Sequence, residues 1–178
     1  MPNRLQILKL RLLMQLPDVN LGFGLNMEYK GFDFSITANG AFGHQIAQSY
    51  RPQTNKLYYN YTKQMMDERW HGEGTSNTFP RLGNAANFNK VSDIYIQDAD
   101  YVRIQNITLG YDFKRLWKKS PLKQMRLYLS LQNWFTFTGY DGFDPAVGYG
   151  GGTDWASGVD LGFYPSAKSF IIGANLKF

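Results

Sequence analysis

Apolar and polar side chains alternate along the last ten residues of the chain. The apolar positions are Phe170, Ile172, Ala174, Leu176 and Phe178, and only Ile171 departs from the alternation. Because successive side chains of a strand point to opposite faces, the pattern predicts a strand with one apolar and one polar face. About ten residues with this period is typical of a tilted membrane-spanning strand. We interpret the segment as the closing strand of an outer-membrane β-barrel.

A second alternating stretch begins at Val19 and contains two strands joined by a tight turn. The first strand is apolar at Val19, Leu21, Phe23, Leu25, Met27 and Tyr29. After a turn at residues 29–31, the second strand is apolar at Phe32, Phe34, Ile36 and Phe42. Two alternating runs separated by a short turn that contains glycine predict a β-hairpin.

Two more strands are predicted in the second half of the chain. The clearer one has apolar residues at Met125, Leu127, Leu129, Leu131, Phe135 and Phe137. The other runs from Tyr101 to Phe113, where Val102 and Ile104 are out of register with Ile107 and the apolar residues after it. This change of phase predicts a β-bulge or a change of environment near Gln105 and Asn106.

The predicted connections alternate between short and long, at residues 29–31, 43–100, 114–124 and 139–168. In an outer-membrane barrel the short turns face the periplasm and the long loops face outside, so we expect both long loops outside the cell. Residues 56–70 could form a short helix within the first loop, as a cap over the lumen or a partner surface. Because a membrane barrel needs at least about eight strands to close, these strands are expected to be a piece of a larger barrel.

The composition suits a sheet protein with polar loops, with 16% aromatic residues, 18 glycines and 19% charged residues. No window approaches the roughly 18 consecutive apolar residues of a membrane-spanning helix. The net charge of +5 owes much to one basic run, which consists of Lys114, Arg115, Lys118, Lys119 and Lys123. Such a run could contact nucleic acid or lipid headgroups, but a solvated turn is the preferred explanation, and no nucleic-acid partner is expected.

Few residues suggest catalysis or metal binding. Cysteine is absent, which excludes disulfide scaffolds and the commonest structural zinc sites. His44 and His71 are the only histidines, and neither is spaced with carboxylates in a ligand pattern. The sequence also lacks a Gly-x-Ser-x-Gly motif, a phosphate loop and paired carboxylates. We therefore predict that the chain is not an enzyme and that it binds no cofactor and no metal.

Residues 1–16 are rich in leucine but are interrupted by Arg4, Lys9 and Arg11. They do not resemble a signal peptide, because charges break the apolar run and no small-residue cleavage site follows it. These residues are left unassigned, with a misread start as one explanation. Residues 17–178 are assigned to the barrel segment.

Aromatic residues concentrate near the predicted strand ends. One rim would carry Tyr29, Phe32, Tyr111, Phe113, Trp117 and Phe178, and the other Trp134, Phe135, Phe137 and Tyr140. An interfacial girdle is one explanation, and ordinary packing in a β-sandwich core is another. The girdle is favoured because apolar stripes recur on several long strands.

The loop at residues 139–168 combines aromatic rings with carboxylates, a combination that suits sugar binding. The carboxylates are Asp141, Asp144, Asp154 and Asp160. Packing of this loop against the barrel or a lid protein is preferred over direct contact with a substrate. The candidates for either contact are Tyr140, Phe143, Tyr149, Trp155 and Tyr164.

Three long runs of the sequence resemble one known family. They are Asp98–Tyr111, Arg126–Pro145 and Gly158–Phe178, and the segment Glu28–Asp33 adds to them. In these runs the chain resembles the SusC/RagA family of TonB-linked outer-membrane proteins. The resemblance covers most of the chain.

The resemblance implies an all-β fold, in which this chain supplies the C-terminal strands, about five, of a large antiparallel transmembrane β-barrel with long extracellular loops. Family barrels have about 22 strands and a plugged lumen. It also implies import of oligosaccharides or peptides across the outer membrane of a Gram-negative bacterium. The implied partners are the TonB complex, which would act through a region missing here, and a SusD-like surface lipoprotein that lids the barrel.

Phe170, Ile172, Leu176 and Phe178 match the pattern that the outer-membrane assembly machinery reads at the end of a barrel. A lipid-facing strand with no recognition role would carry the same residues. Two other functions remain open for the chain as a whole. One is a soluble β-sandwich module that binds carbohydrate, and the other is a segment of a passive porin.

Overall fold

The computed structural model of the protein describes residues 16–51, 62–81, 93–117, 119–146 and 158–178. Residues 1–15, which are most of the unassigned N-terminal segment, lie outside the described residues. The strands in chain order are β1 (Val19–Tyr29), β2 (Phe32–Phe42), β3 (Gln45–Gln48), β4 (Ile96–Asp98), β5 (Tyr101–Asp112), β6 (Gln124–Thr138), β7 (Val159–Asp160) and β8 (Ser169–Lys177). The α-helix α1 (Lys63–Glu68) lies between β3 and β4 in the chain.

The chain divides into two compact units. The first is a five-stranded sheet, made of residues 18–42, 100–139 and 165–178. The second, called the loop unit here, contains residues 43–99 and 140–164 together with residues 16–17. The loop unit is therefore formed mainly by the two long connections that the sequence predicted.

The five-stranded sheet is an antiparallel meander with the order β1-β2-β5-β6-β8. Its first hairpin closes through Lys30 and Gly31, whose φ angles are 48° and 91°. Two consecutive positive φ angles define the type I′ turn, whose twist matches that of the strands on either side. Glycine adopts this conformation without strain, and the predicted hairpin is confirmed.

Cross-strand pairing lines up the apolar residues of all five strands on one face of the sheet. One complete row contains Leu25, Ile36, Ile107, Leu131 and Phe170. The row beside it, on the opposite face, contains Asn26, Ser35, Thr108, Ser130 and Ile171. The alternation seen in the sequence therefore becomes a single apolar face and a single face that is mostly polar.

A β-bulge on β5 restores the register that the sequence loses near Gln105. Ile107 pairs with Ile36 and Ile104 pairs with Ala38, so Gln105 is left without a partner on β2. The register between β5 and β6 shifts at the same place, where Asn133 has a φ of 57°. The extra residue returns Ile104 to the apolar face, as the sequence predicted.

The loop unit contains a small sheet of its own, in which β3 pairs antiparallel with β4 and parallel with β7. Ile46, Ala99 and Tyr140 form its buried core. Helix α1 begins after Thr62, whose hydroxyl accepts a hydrogen bond from the Met65 amide. It confirms part of the predicted helix, of which residues 56–61 lie outside the described residues. None of the described helices is long and apolar enough to span a membrane.

Candidate functional site: the two faces of the sheet and the loop unit

The five-stranded sheet buries polar side chains and exposes apolar ones. On the apolar face, Phe23, Phe137 and Ile172 are 59%, 62% and 73% exposed. On the polar face, Arg103 and Ser130 are buried. Water-soluble domains show the reverse distribution, because burying apolar surface drives their folding. One face of the sheet is thus suited to contact with lipid and not with water.

In a β-sandwich, the apolar face would instead be buried against a second sheet. The exposed rings along this face therefore favour a lipid-facing wall over the sandwich that the sequence left open. A barrel wall also keeps its polar side chains on the inner side, towards the lumen.

An ion pair spans the polar face across three strands. The Arg126 guanidinium on β6 donates two hydrogen bonds to the Asp33 carboxylate on β2, one of them from Nε to Oδ1 at 2.8 Å. The side chains meet above Gly110 on β5, where a Cβ would lie 2.7 Å from the Arg126 Nε. Gly110 thus leaves room for a paired, two-point contact between strands that are not neighbours.

A network of neutral side chains continues along the same face. Ser130 Oγ donates to Asn106 Oδ1 at 2.6 Å, and Thr108 Oγ1 donates to Ser130 Oγ at 3.0 Å. Further along, Arg103 donates to Thr136 Oγ1 at 3.0 Å and to Ser166 Oγ at 3.2 Å. These hydrogen bonds satisfy polar groups that the fold removes from water.

The aromatic residues of the predicted short-turn rim come together on the apolar face. Tyr29 pairs with Phe32 across the first hairpin. The rings of Phe32 and Tyr111 are 4.4 Å apart, and those of Tyr111 and Phe113 are 5.0 Å apart in an edge-to-face contact. Trp117 follows in the chain and is 56% exposed. These residues form an aromatic band at one end of the strands, in which Phe32, Tyr111 and Phe113 are in ring contact.

The predicted opposite rim is less uniform. Phe135 and Phe137 are exposed on the apolar face, and Trp134 Nε1 donates to the Ser169 carbonyl at 2.9 Å. Tyr140, however, belongs to the loop unit and is buried there. Its ring packs in a core and is not part of an interfacial girdle, which corrects the sequence prediction for this residue.

Tyr140 anchors the loop unit through a buried hydrogen bond. Its hydroxyl donates to Asp160 Oδ2 at 2.7 Å, and Asp160 Oδ1 accepts the Gly162 amide at 2.7 Å. Asp160 is almost fully buried. Burial raises the pKa of the Tyr140 hydroxyl well above its ordinary value, and the hydrogen bond to the Asp160 carboxylate raises it further.

The other loop candidates differ in their accessibility. Phe143 is 59% exposed and lies with its ring 5.5 Å from that of Tyr50. Tyr164 is exposed over most of its surface. Tyr149 and Trp155 lie outside the described residues. Of the three described candidates, Phe143 and Tyr164 therefore have exposed rings, whereas the ring of Tyr140 is buried.

The four residues of the predicted assembly signal lie on one stripe at the edge of the sheet. Phe170, Ile172 and Leu176 belong to β8, Phe178 follows it, and all four are exposed. Recognition of this stripe by the assembly machinery stays a prediction. Within the described parts of the chain, no group of three or more His, Asp or Glu side chains is placed to hold a metal ion.

Sequence reasoning missed the Asp33–Arg126 pair and the hydrogen bonds of Arg103. Asp33 and Arg126 are 93 residues apart, so no local pattern connects them. The available signal was their position: each is a charged residue on the polar side of an amphipathic strand, near the same end of the sheet. An unlike pair in such positions is a candidate cross-strand contact.

These features define the class of protein: the sheet is a wall of a transmembrane β-barrel. The chain is 32% identical over 167 residues to TonB-dependent receptor P3 of Formosa agariphila, covering 91% of this chain and 16% of the receptor. It is 31% identical over 170 residues to TonB-dependent receptor SusC of Bacteroides thetaiotaomicron, covering 90% of this chain and 15% of SusC. No family model matches the chain.

Solved structures show the same fold. The RagAB peptide importer in its closed-closed state matches with a TM-score of 0.72 and 25% identity, over 92% of this chain and 18% of the solved chain. The open-open state matches with a TM-score of 0.71 and 24% identity, over 91% of this chain and 17% of the solved chain.

The chain spans about a sixth of the length of the curated relatives it matches. The predicted resemblance to TonB-dependent receptors of the SusC/RagA type is confirmed in sequence and in fold. The predicted place, the outer membrane of a Gram-negative bacterium, is also confirmed by these relatives.

Proposed function

We propose that this chain forms part of the barrel wall of an active importer that draws its energy from the TonB complex. The observation that supports the proposal most directly is the inverted sheet, with an exposed apolar face and a hydrogen-bonded polar face. The relatives that match the chain are named TonB-dependent receptors, which supports TonB as the source of energy. The plug and the TonB-contacting segment would belong to the remainder of the receptor.

Removal of the TonB-contacting segment from the intact receptor tests active import. We expect uptake to be lost while the amount of folded barrel, measured as heat-modifiable protein in outer-membrane fractions, is unchanged. Uptake that persists in this variant would show a diffusion pore, and the passive porin would replace the importer as the function.

We propose oligosaccharides or peptides as the cargo. A solved structure that shares the fold is named a peptide importer, which supports the peptide alternative. The polar face carries charged, amide and hydroxyl groups, which hydrogen-bond equally well to either cargo. Competition between labelled oligosaccharides and labelled peptides for uptake by the same cells separates the two. Competition by neither class would contradict the proposed cargo.

A SusD-like lipoprotein is the proposed partner of the loop unit. Phe143 and Tyr164 present exposed rings, and aromatic residues are enriched in protein–protein interfaces. We expect Phe143→Ala with Tyr164→Ala to reduce co-purification of the lipoprotein with the receptor. Leu161→Ala is the matched control, since Leu161 is an exposed apolar residue of the same unit. Equal co-purification of both variants would exclude these rings as the contact.

We further propose that the outer-membrane assembly machinery reads the stripe of Phe170, Ile172, Leu176 and Phe178. The exposed position of all four residues beside β6 supports this role. Phe178→Leu keeps an apolar side chain for lipid but removes the aromatic ring. A smaller amount of folded receptor in this variant is expected, whereas an unchanged amount would leave the stripe with a lipid-facing role alone.

A further inference from the structure

Two cations, Lys30 and Arg115, lie at the short-turn end of the sheet. Lys30 occupies the first position of the β1–β2 turn, and Arg115 ends the short 3₁₀ segment that follows β5. A Cβ on Gly31 would lie 3.2 Å from the Arg115 Cδ, so the arginine side chain passes over the residue that follows Lys30. Among the described residues, neither Lys30 nor Arg115 forms an ion pair with a carboxylate.

The same cations lie beside the aromatic band of the apolar face. The Lys30 ammonium is 5.0 Å from the centre of the Tyr29 ring. The Tyr111 ring also lies close to Gly31, where a Cβ would be 3.3 Å from its Cε2. The Lys30 and Arg115 side chains therefore lie close to rings of the aromatic band, at the level where aromatic residues mark the membrane interface.

Other basic residues extend the positive charge along this rim. Lys119 and Lys123 are exposed in the β5–β6 connection, and Lys123 lies next to Lys177 through a backbone hydrogen bond of 2.7 Å. One carboxylate in this region is Asp112, which lines an open depression together with Gly31, Lys114 and Arg115. Asp112 accepts the Lys114 amide at 3.0 Å, so part of its charge is compensated locally.

We propose that Lys30 and Arg115 bind the phosphate of an anionic phospholipid headgroup, with its acyl chains against Tyr29, Phe32 and Tyr111. A guanidinium and an ammonium are the side chains that recognise phosphate most often, and the aromatic rings continue directly into the lipid-facing surface. Short turns of outer-membrane barrels face the periplasm, so the ligand is a phospholipid of the membrane leaflet on the periplasmic side. The inference rests on the place of the sheet in the bilayer and not on import.

Native mass spectrometry of the intact receptor tests the site. The receptor is stripped of lipid in detergent and titrated with dioleoyl-phosphatidylglycerol or with dioleoyl-phosphatidylcholine. The test variant is Lys30→Asn with Arg115→Gln, because asparagine is favoured in the left-handed conformation that Lys30 adopts in the turn. The control variant is Lys63→Gln with Lys168→Gln, which removes the same charge from two exposed positions elsewhere.

We expect the wild type and the control to bind phosphatidylglycerol more tightly than phosphatidylcholine. The test variant should lose this preference and bind phosphatidylglycerol about tenfold or more weakly, since each basic residue at a membrane surface contributes about 1 kcal/mol. The single variant Arg115→Lys, which keeps the charge, should retain most of the affinity. Equal binding of both lipids by the wild type, or equal loss in test and control variants, would overturn the proposal.

Two further measurements keep the result interpretable. A heat-modifiable gel shift for each variant shows whether the barrel is folded, and Arg115→Gln alone replaces the double variant if that one does not fold. Titration with inorganic phosphate and with lipopolysaccharide identifies the source of the headgroup. Displacement of phosphatidylglycerol by either one at equal concentration would contradict a phospholipid site.

Discussion

Ile171 and Ile172 are consecutive and chemically identical, yet they lie on opposite faces of β8. Ile172 pairs with Leu129 on the apolar face, whereas Ile171 pairs with Ser130 on the polar face. Ile172 is 73% exposed and Ile171 is 38% exposed. The same side chain therefore occurs in both environments of the sheet, so substitutions at the two positions can be compared directly.

Arginine at these two positions should have very different effects. We expect Ile172→Arg to destabilise the folded receptor by about 2–4 kcal/mol if the residue lies near the bilayer midplane, because the charge would face lipid. Ile171→Arg should cost much less, since its charge would face the lumen. The free energy of unfolding of the receptor in lipid vesicles measures both. Equal costs would mean that the apolar face does not contact lipid.

Tyr128 covers Gly173 across β6 and β8, and the two residues are directly paired. A Cβ at Gly173 would lie 2.6 Å from the Tyr128 Cε1 and would therefore overlap the Tyr128 ring. We expect Gly173→Val to destabilise the receptor by about 1–3 kcal/mol through overpacking. Gly24→Val is the control, because a Cβ at Gly24 meets nothing within 4 Å. Adding Tyr128→Ala to Gly173→Val should restore part of the lost stability. If it restores none, the overlap with Tyr128 is not the cause of the loss.

Asp33 and Arg126 should be energetically coupled across the sheet. Asp33→Asn leaves a guanidinium that is only 23% exposed without its carboxylate, and we expect a loss of about 1–3 kcal/mol. The double variant Asp33→Asn with Arg126→Gln should be more stable than the sum of the single changes predicts. Denaturant unfolding of the four proteins gives the coupling energy. Additive changes would show that the pair does not couple β2 to β6.

Alkaline pH should weaken the loop unit through Tyr140. Because the folded pKa is raised above the ordinary value of 10.0, the folded chain keeps a proton that the unfolded chain loses. The stability from this proton is complete below about pH 10 and falls as the pH rises further. Absorbance titration at alkaline pH should show a late-titrating tyrosine that Tyr140→Phe lacks. An unchanged titration curve in that variant would contradict the buried hydroxyl.

The sequence predicted the five-stranded sheet well because apolar and polar residues alternate along each strand and so mark its two faces. The hairpin turn at Lys30 and Gly31 follows from the same logic, as does the bulge at Gln105, where the period fails locally. Each of these features depends on residues that are close together in the chain. Side-chain period and turn chemistry therefore suffice to locate them.

The loop unit could not be predicted in the same way. Strand β3 contains four residues and β7 two, which is too short for a period to be recognised. Their pairing joins Ala47 to Val159, far apart in the sequence. The burial of Tyr140 depends on this long-range pairing. An aromatic residue after a strand gives no local sign of whether its ring will be buried or exposed.

The strands of the small sheet in the loop unit pair with one another, and those of the five-stranded sheet likewise. Insertions and substitutions in residues 43–99 and 140–164 can therefore accumulate without moving any register in the wall. The hydrogen-bonding pattern of the sheet therefore sets no limit on the length or composition of these two connections.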